Sequence, residues 1–144
     1  NRLLTDLLQM DLSEPQLLRA RINVLGNRTN ASMHYGLLSI AEHALKERTE
    51  YQLQRFDTLQ SANMKRNFQT GQAIWEGTLA AYKGDYTNAI EHYQKASNNS
   101  IRVQYGLAQS HQGVGNHEVS QRLLKQIAGY NFNTLQYASF EPMQ

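Results

Sequence analysis

Histidine has the widest chemical range of the side chains in this sequence, because neutral imidazole can bind zinc or carry a proton near neutral pH. The chain has five histidines, which are His34, His43, His92, His111 and His117. A zinc site on a helix needs two ligands three or four residues apart, and no two of these histidines have that spacing. We therefore expect surface histidines near helix ends, and no metal site.

Other patterns that support catalysis are also missing. Gly113-Val-Gly115 lacks the Lys and Ser/Thr of a phosphate-binding loop, and no serine stands in a nucleophile-elbow pattern. The absence of cysteine removes thiolate nucleophiles, thiolate metal sites and disulfides. The carboxylates Glu42, Glu47 and Glu50 lie in a segment of mixed charge, which is typical of a solvent-facing surface. We therefore expect no enzymatic activity, no catalytic residue and no cofactor.

The charge balance gives little reason to expect a nucleic-acid partner. Lys and Arg number 14 and Asp and Glu number 12, and the two signs are interspersed, as in Lys46-Glu47-Arg48. Such a pattern favours a mixed surface over a phosphate-binding stripe. No apolar run approaches the ~18 residues that span a bilayer, so we expect a soluble chain without membrane insertion, in a compartment that the composition leaves open. Because the sequence starts at Asn1 rather than Met, we expect a piece of a longer chain.

Nearly every segment has the apolar spacing of an amphipathic helix, and no useful alternation predicts a strand. Ser13-Glu-Pro-Gln16 is a helix start signal, and Gly26-Asn27 is expected to end that helix after residue 25. The pattern over residues 31–68 fits one long helix or two with a bend near Thr49, of which we favour two. Further helices are predicted over residues 2–10, 69–82, 86–97, 101–112 and 116–128, and after Asn133.

The stretch from Gly77 to Ala96 contains two helical patterns joined at Gly84-Asp85. Small residues such as Ala89 stand where the helices must touch, and Tyr86 and Tyr93 stand where they must interlock. A looser copy follows 31 residues later, with Ala108, Gly115, Asn116, Ser120, Leu124 and Ile127 at positions that match Gly77, Gly84, Asp85, Ala89, Tyr93 and Ala96. This period predicts stacked helical hairpins.

On these residues the stretch 71–97 resembles a tetratricopeptide repeat, and residues 102–128 resemble a weaker second copy. Gly77 matches the family's small first-helix residue, Gly84 its turn glycine, and Ala89 its small second-helix residue. The period is shorter than the family's ~34 residues, and no proline ends either copy. The resemblance implies an all-α fold of antiparallel hairpins stacked as a short right-handed α-solenoid.

The same resemblance implies one helical-repeat domain over residues 1–144. Its parts are degenerate or non-repeat helices over 1–68, repeats over 69–98 and 100–129, and a C-terminal cap over 130–144. In this family the first helix of each hairpin lines a concave face, which commonly holds a peptide or a neighbouring domain.

The family's inner-face positions carry over to candidate peptide-binding residues, which are Thr78, Tyr82, Arg102, Tyr105, Gln109 and Gln112. Tyr82 and Tyr105 would supply rigid aromatic contact, and the glutamines could bond a peptide backbone. Ile74 and Ala81 also fall on inner positions, but we expect them in the core. Some family members grip a C-terminal carboxylate with Lys and Asn, whose places hold Tyr105 and Gln109 here, so no such clamp is expected.

The sequence thus predicts a scaffold for protein interaction or assembly that binds a peptide or protein domain through its concave helical face. Two alternatives stay open. The chain could be a non-catalytic accessory helical domain of a larger enzyme, for example a hydrolase. It could also be a homo-oligomerisation domain, whose open ends stack on copies of themselves.

Overall fold

The computed structural model describes Arg2 and residues 13–56, 61–96 and 100–129, and this part of the chain is all-α, without strands. The all-α prediction is therefore confirmed. Within these ranges the chain forms six helices, which are α1 (Glu14–His34), α2 (Leu38–Phe56), α3 (Ala62–Tyr82), α4 (Tyr86–Gln94), α5 (Ile101–Gly113) and α6 (His117–Ala128). The chain divides into two compact units, whose boundary lies between Lys65 and Arg66 in the first turn of α3. The predicted cap over residues 130–144 and most of the predicted helix 2–10 lie outside the described residues.

In the first unit, α1 and α2 pack against each other as a hairpin. The start signal of α1 is confirmed, since Ser13 is the N-cap and its backbone N–H donates to Gln16 Oε1 at 3.0 Å. The shared core is apolar, with Ile22, Leu25, Met33, Ala41, Ala44 and Leu45 all buried. Thr29 is also fully buried, and its hydroxyl donates to the Leu25 carbonyl at 2.8 Å. This bond satisfies a polar group that would otherwise be costly to bury.

The predicted end of α1 at Gly26 is wrong. The helix continues through Gly26, which is buried, to His34. Packing of α1 on α2 therefore overrides the weak helix propensity of glycine, about 1 kcal/mol less favourable than alanine. The left-handed residue is Gly36 instead, with φ of +72°, and Leu37 N–H donates to the Ser32 carbonyl at 2.8 Å. The long helical segment expected from residue 31 is thus interrupted by this turn.

The bend expected near Thr49 is also absent, because α2 runs without interruption to Phe56. The Thr49 hydroxyl donates to the Leu45 carbonyl at 2.8 Å, so this side chain is satisfied inside the helix. The next helix, α3, starts at Ala62, earlier than the predicted residue 69. Its first turn is capped by Ser61, whose hydroxyl oxygen accepts from Met64 N–H at 3.1 Å. A serine cap set in a polar stretch is a weak sequence signal for so early a start.

In the second unit, the hairpin turns at Gly84 and Gly115 have the same geometry. Both glycines have positive φ, +76° and +81°. Asp85 N–H donates to the Ala80 carbonyl at 2.9 Å, and Asn116 N–H donates to the His111 carbonyl at 2.8 Å. A left-handed residue closed by such a bond is the Schellman ending of a helix. The predicted turns at these glycines are confirmed, and so are the end of α3 at residue 82 and the end of α6 at residue 128.

Among the described residues, no helix is both long enough and apolar enough to cross a membrane.

Candidate functional site

Tyr93 lies at the centre of the second unit, with 4% of its surface exposed. Its ring occupies space that two glycines leave open, one on α3 and one on α5. A Cβ atom built on Gly77 would lie 3.1 Å from the ring, and one on Gly106 would lie 2.4 Å from the ring atom Cζ. Since carbon atoms pack at about 3.5–4.0 Å, alanine at position 106 would overlap the ring. The tyrosine therefore links three helices, through a close approach at Gly77 and a position at Gly106 that leaves no room for a Cβ atom.

Tyr86 makes a second contact of the same kind. A Cβ on Gly113 would lie 2.3 Å from Cδ2 of the Tyr86 ring. The two tyrosines are seven residues apart on α4, and Gly106 and Gly113 are seven apart on α5, in the opposite order. Two ring-on-glycine contacts thus fix the antiparallel register of α4 and α5. The prediction that both tyrosines stand where helices interlock is confirmed. Their partner glycines on α5 were not predicted, although the matching seven-residue spacing is visible in the sequence.

The hydroxyl of Tyr93 contacts Thr78, one of the residues predicted to bind a peptide. It shares a hydrogen bond with the Thr78 hydroxyl, with 3.1 Å between the two oxygens. Burial raises the pKa of Tyr93, and the Thr78 bond and the positive charge of Arg102 oppose that rise, while Tyr82 adds to it. Arg102 and Tyr82 therefore both influence the charge of this hydroxyl.

The predicted residues of α5 form its exposed edge. Tyr105 is 36% exposed, Gln109 is exposed and Arg102 is half-buried. Elsewhere on this helix, Val103, Gln104, Ala108 and Ser110 are buried. Gln109 Nε2 donates to the Tyr105 hydroxyl at 3.2 Å, so these two side chains form one hydrogen-bonded polar group on the helix surface. The exposed edge is therefore an aromatic and amide surface with one cationic end.

Gln112, the remaining predicted residue of α5, contacts a residue beyond the turn that follows. Its Oε1 atom lies 3.1 Å from His117 Nδ1, so the side chain is used at the turn between α5 and α6. On α3, Thr78 is half-buried and Tyr82 is 45% exposed. Ile74 and Ala81 pack against the buried core of the unit, as expected. We call the set Thr78, Tyr82, Arg102, Tyr105 and Gln109 the first-helix face.

Arg102 is the one charged residue of the first-helix face. Its Nε atom is buried and has no hydrogen-bond partner in the described part of the chain. The helix that carries it, α5, contains no Asp or Glu, and Arg102 is its only Lys or Arg. Arg102 also lies in the first turn of α5, where the helix dipole already places positive potential. The face therefore carries a positive charge that its own helix does not neutralise.

Glu76, the acidic residue of α3, contacts His92 on α4. Glu76 Oε2 lies 3.1 Å from His92 Nδ1, which joins α3 to α4. Sequence reasoning missed this pair, because the two residues belong to different helices and no local spacing connects them. Within the described ranges, no group of three His, Asp or Glu side chains is placed to hold a metal ion.

Comparison with known proteins adds no relative. No family model matches the chain, no curated protein matches it, and no solved structure matches it. Inference about function therefore rests on the first-helix face.

Proposed function

We propose that this chain is a protein-interaction module that binds a peptide or protein segment on the first-helix face. The supporting observation is that exposed Tyr105 follows half-buried Arg102 by one helical turn on α5, and that Arg102 and exposed Tyr82 both act electrostatically on the Tyr93 hydroxyl. Tyr and Arg are the side chains most enriched at the energetic centres of protein interfaces. Tyrosine also offers a large contact area at low conformational-entropy cost, because it has few rotatable bonds.

The rigid layer beneath the face supports the same proposal. Tyr93 is wedged against Gly77 and Gly106 and bonded to Thr78, so the helices that present the exposed tyrosines are tied together. A surface that is already ordered loses less entropy on binding. The first-helix face is therefore preorganised, as an interaction surface should be.

The finer architecture belongs to this proposal as well, namely tetratricopeptide-like hairpins stacked as a short right-handed α-solenoid whose concave side is the first-helix face. The shared turn geometry at Gly84 and Gly115 supports repetition of one hairpin unit. Gly36 makes the same turn between α1 and α2, which supports a degenerate hairpin in the first half of the chain. Hairpins of this kind cannot bury their apolar surface alone, and stacking supplies the missing partner.

Affinity capture with matched variants tests the proposal. The tagged chain is used as bait in an extract of the cells that produce it, and retained proteins are quantified by mass spectrometry. The test bait carries Tyr105→Ala and Gln109→Ala. The control bait carries Gln94→Ala and Gln121→Ala, which remove two exposed amides from the second helices of the hairpins.

A partner retained by wild type and control but lost by the test bait supports binding on the first-helix face. Far-UV circular dichroism must show that all baits have the same helix content. If the test bait retains everything that wild type retains, the proposed binding face is wrong. Sedimentation of wild type over a range of concentrations separates this proposal from self-assembly, which would raise the mass with concentration.

A further inference from the structure

We propose that the segment bound on the first-helix face presents an acidic side chain, Asp or Glu, to Arg102. This inference rests on the proposed function and names the chemistry of the partner. The juxtaposition that carries it is a half-buried guanidinium, whose Nε atom has no hydrogen-bond partner among the described residues, on the same helix as exposed Tyr105.

The first line of support is the distribution of acids along the chain. Between Glu91 and Glu118 the sequence contains no Asp or Glu, so neither α5 nor the segments flanking it can neutralise Arg102. On α3 the acid is Glu76, whose Oε2 lies 3.1 Å from His92 Nδ1 and whose Oε1 accepts from Gln72 Nε2 at 3.2 Å. Charge complementarity at an interface requires the partner to supply what this surface lacks.

The second line of support is burial. Arg102 Nε is shielded from solvent and has no hydrogen-bond partner within the described residues. A carboxylate can accept two parallel hydrogen bonds from a guanidinium, which makes this pair stronger and more directional than a pair with Lys. Reduced solvent around a half-buried group strengthens the attraction further. An acidic side chain is therefore the group that best completes this position.

Other anions fit less well. Phosphate groups are usually recognised by clusters of Arg, whereas α5 has only Arg102. A terminal carboxylate would need further cationic donors beside the guanidinium, and α5 has no Lys or Arg other than Arg102. A single negative charge within a continuous peptide needs only the guanidinium, with Tyr82 and Tyr105 free to contact the residues on either side.

A phage-displayed library of random peptides, selected on immobilised protein, provides the test. Wild type is expected to enrich peptides with an Asp or Glu at a recurrent position. Arg102→Gln should still select peptides but without that enrichment, and Arg102→Glu should favour Lys or Arg. The matched control is Arg122→Gln, which removes an exposed Arg from α6 and should select the same acidic peptides as wild type.

A second measurement needs no protein variant. Selected peptides are synthesised with amidated C-termini, and their affinity for wild type is compared with that of copies in which Asp becomes Asn or Glu becomes Gln. We expect the neutral copies to bind about tenfold more weakly, which corresponds to about 1.4 kcal/mol. Raising the salt concentration should narrow the difference, because salt screens exposed charge pairs.

The outcomes separate this inference from the proposed function. Peptides that lose binding with Tyr105→Ala and Gln109→Ala but show no acidic position would overturn the acidic partner and leave the binding face intact. Binding that requires a free C-terminal carboxylate would overturn it as well. Peptides unaffected by any first-helix substitution, or no selected peptide at all, would refute both.

Discussion

Replacing Gly106 with alanine tests the packing on which the second unit depends. The added Cβ would lie 2.4, 2.7 and 2.8 Å from three atoms of the Tyr93 ring. Ordinary carbon contacts are about 3.5–4.0 Å, so the ring must retreat by about 1 Å. It has little room to do so, because Gly77 bounds it on α3 and Thr78 holds its hydroxyl. Strain must therefore appear in the folded state.

The expected size of the effect follows from two opposing contributions. Overpacking a buried site costs typically about 1–3 kcal/mol. Alanine in place of glycine inside a helix returns about 0.5–1 kcal/mol. Gly71, in α3, is a matched control, because a Cβ built there meets nothing within 4 Å. Gly71→Ala should thus stabilise the protein, and the difference between the two variants, about 1–3 kcal/mol, isolates the overlap with the Tyr93 ring.

Urea unfolding is a suitable assay, with fluorescence of Trp75 as the signal. The chain has a single tryptophan, and it lies in α3, so this signal reports on the second unit. The double variant Gly106→Ala, Tyr93→Leu removes the ring and should be less destabilised than the sum of its single variants, by about 0.5–3 kcal/mol. If Gly106→Ala and Gly71→Ala change the unfolding free energy equally, the ring does not lie on Gly106 and this packing is wrong.

Three further predictions concern stability. Ala89→Asp places an unpaired charge at a fully buried position and should destabilise the protein by more than about 3 kcal/mol. Thr87→Asp, at an exposed position of the same helix, should change the melting temperature little. Equal melting temperatures for the two variants would contradict the helix packing. Gly84→Ala forces a side chain into φ of +76° and should lower the free energy of unfolding in urea by about 1–2 kcal/mol. An unchanged free energy of unfolding would show that the turn does not require this φ. Because burial raises the pKa of Tyr93 above 10.0, the unfolded chain loses that proton first. The stability that the buried neutral phenol contributes is therefore fully present below the unfolded pKa of 10.0 and is lost as pH rises through the folded pKa. Between about pH 8 and about pH 11, wild type should lose more unfolding free energy than Tyr93→Phe, and parallel losses would refute a buried phenol.

Local signals were sufficient where a helix end is determined by its own residues. The turns at Gly84 and Gly115 and the start of α1 after Ser13 depend on glycine conformation and capping within a few residues. The path of α1 through Gly26 and of α2 through Thr49 depends on how the two helices pack. That packing is not local, so the sequence pattern near either residue gave the wrong boundary.

The candidate site divides in the same way. The resemblance to tetratricopeptide repeats pointed to Arg102, Tyr105 and Gln109 on α5, and helical spacing is consistent with one shared face for them. The attachment of Gln112 to His117 was not, since it depends on the path of the chain through the turn. The charge state of the face also required knowledge of both helices, because Glu76 could have faced Arg102 but is placed against His92.

Tyr93 has one further consequence. Its ring holds the joint between helices, while its hydroxyl belongs to the surface that we propose for binding. A ligand that orders Thr78 or Arg102 would therefore slow amide hydrogen exchange at Gly106, whose backbone lies against the Tyr93 ring. A substitution of Tyr93 would therefore change both the binding surface and the packing of the helices. Neither property can be altered at this residue without the other.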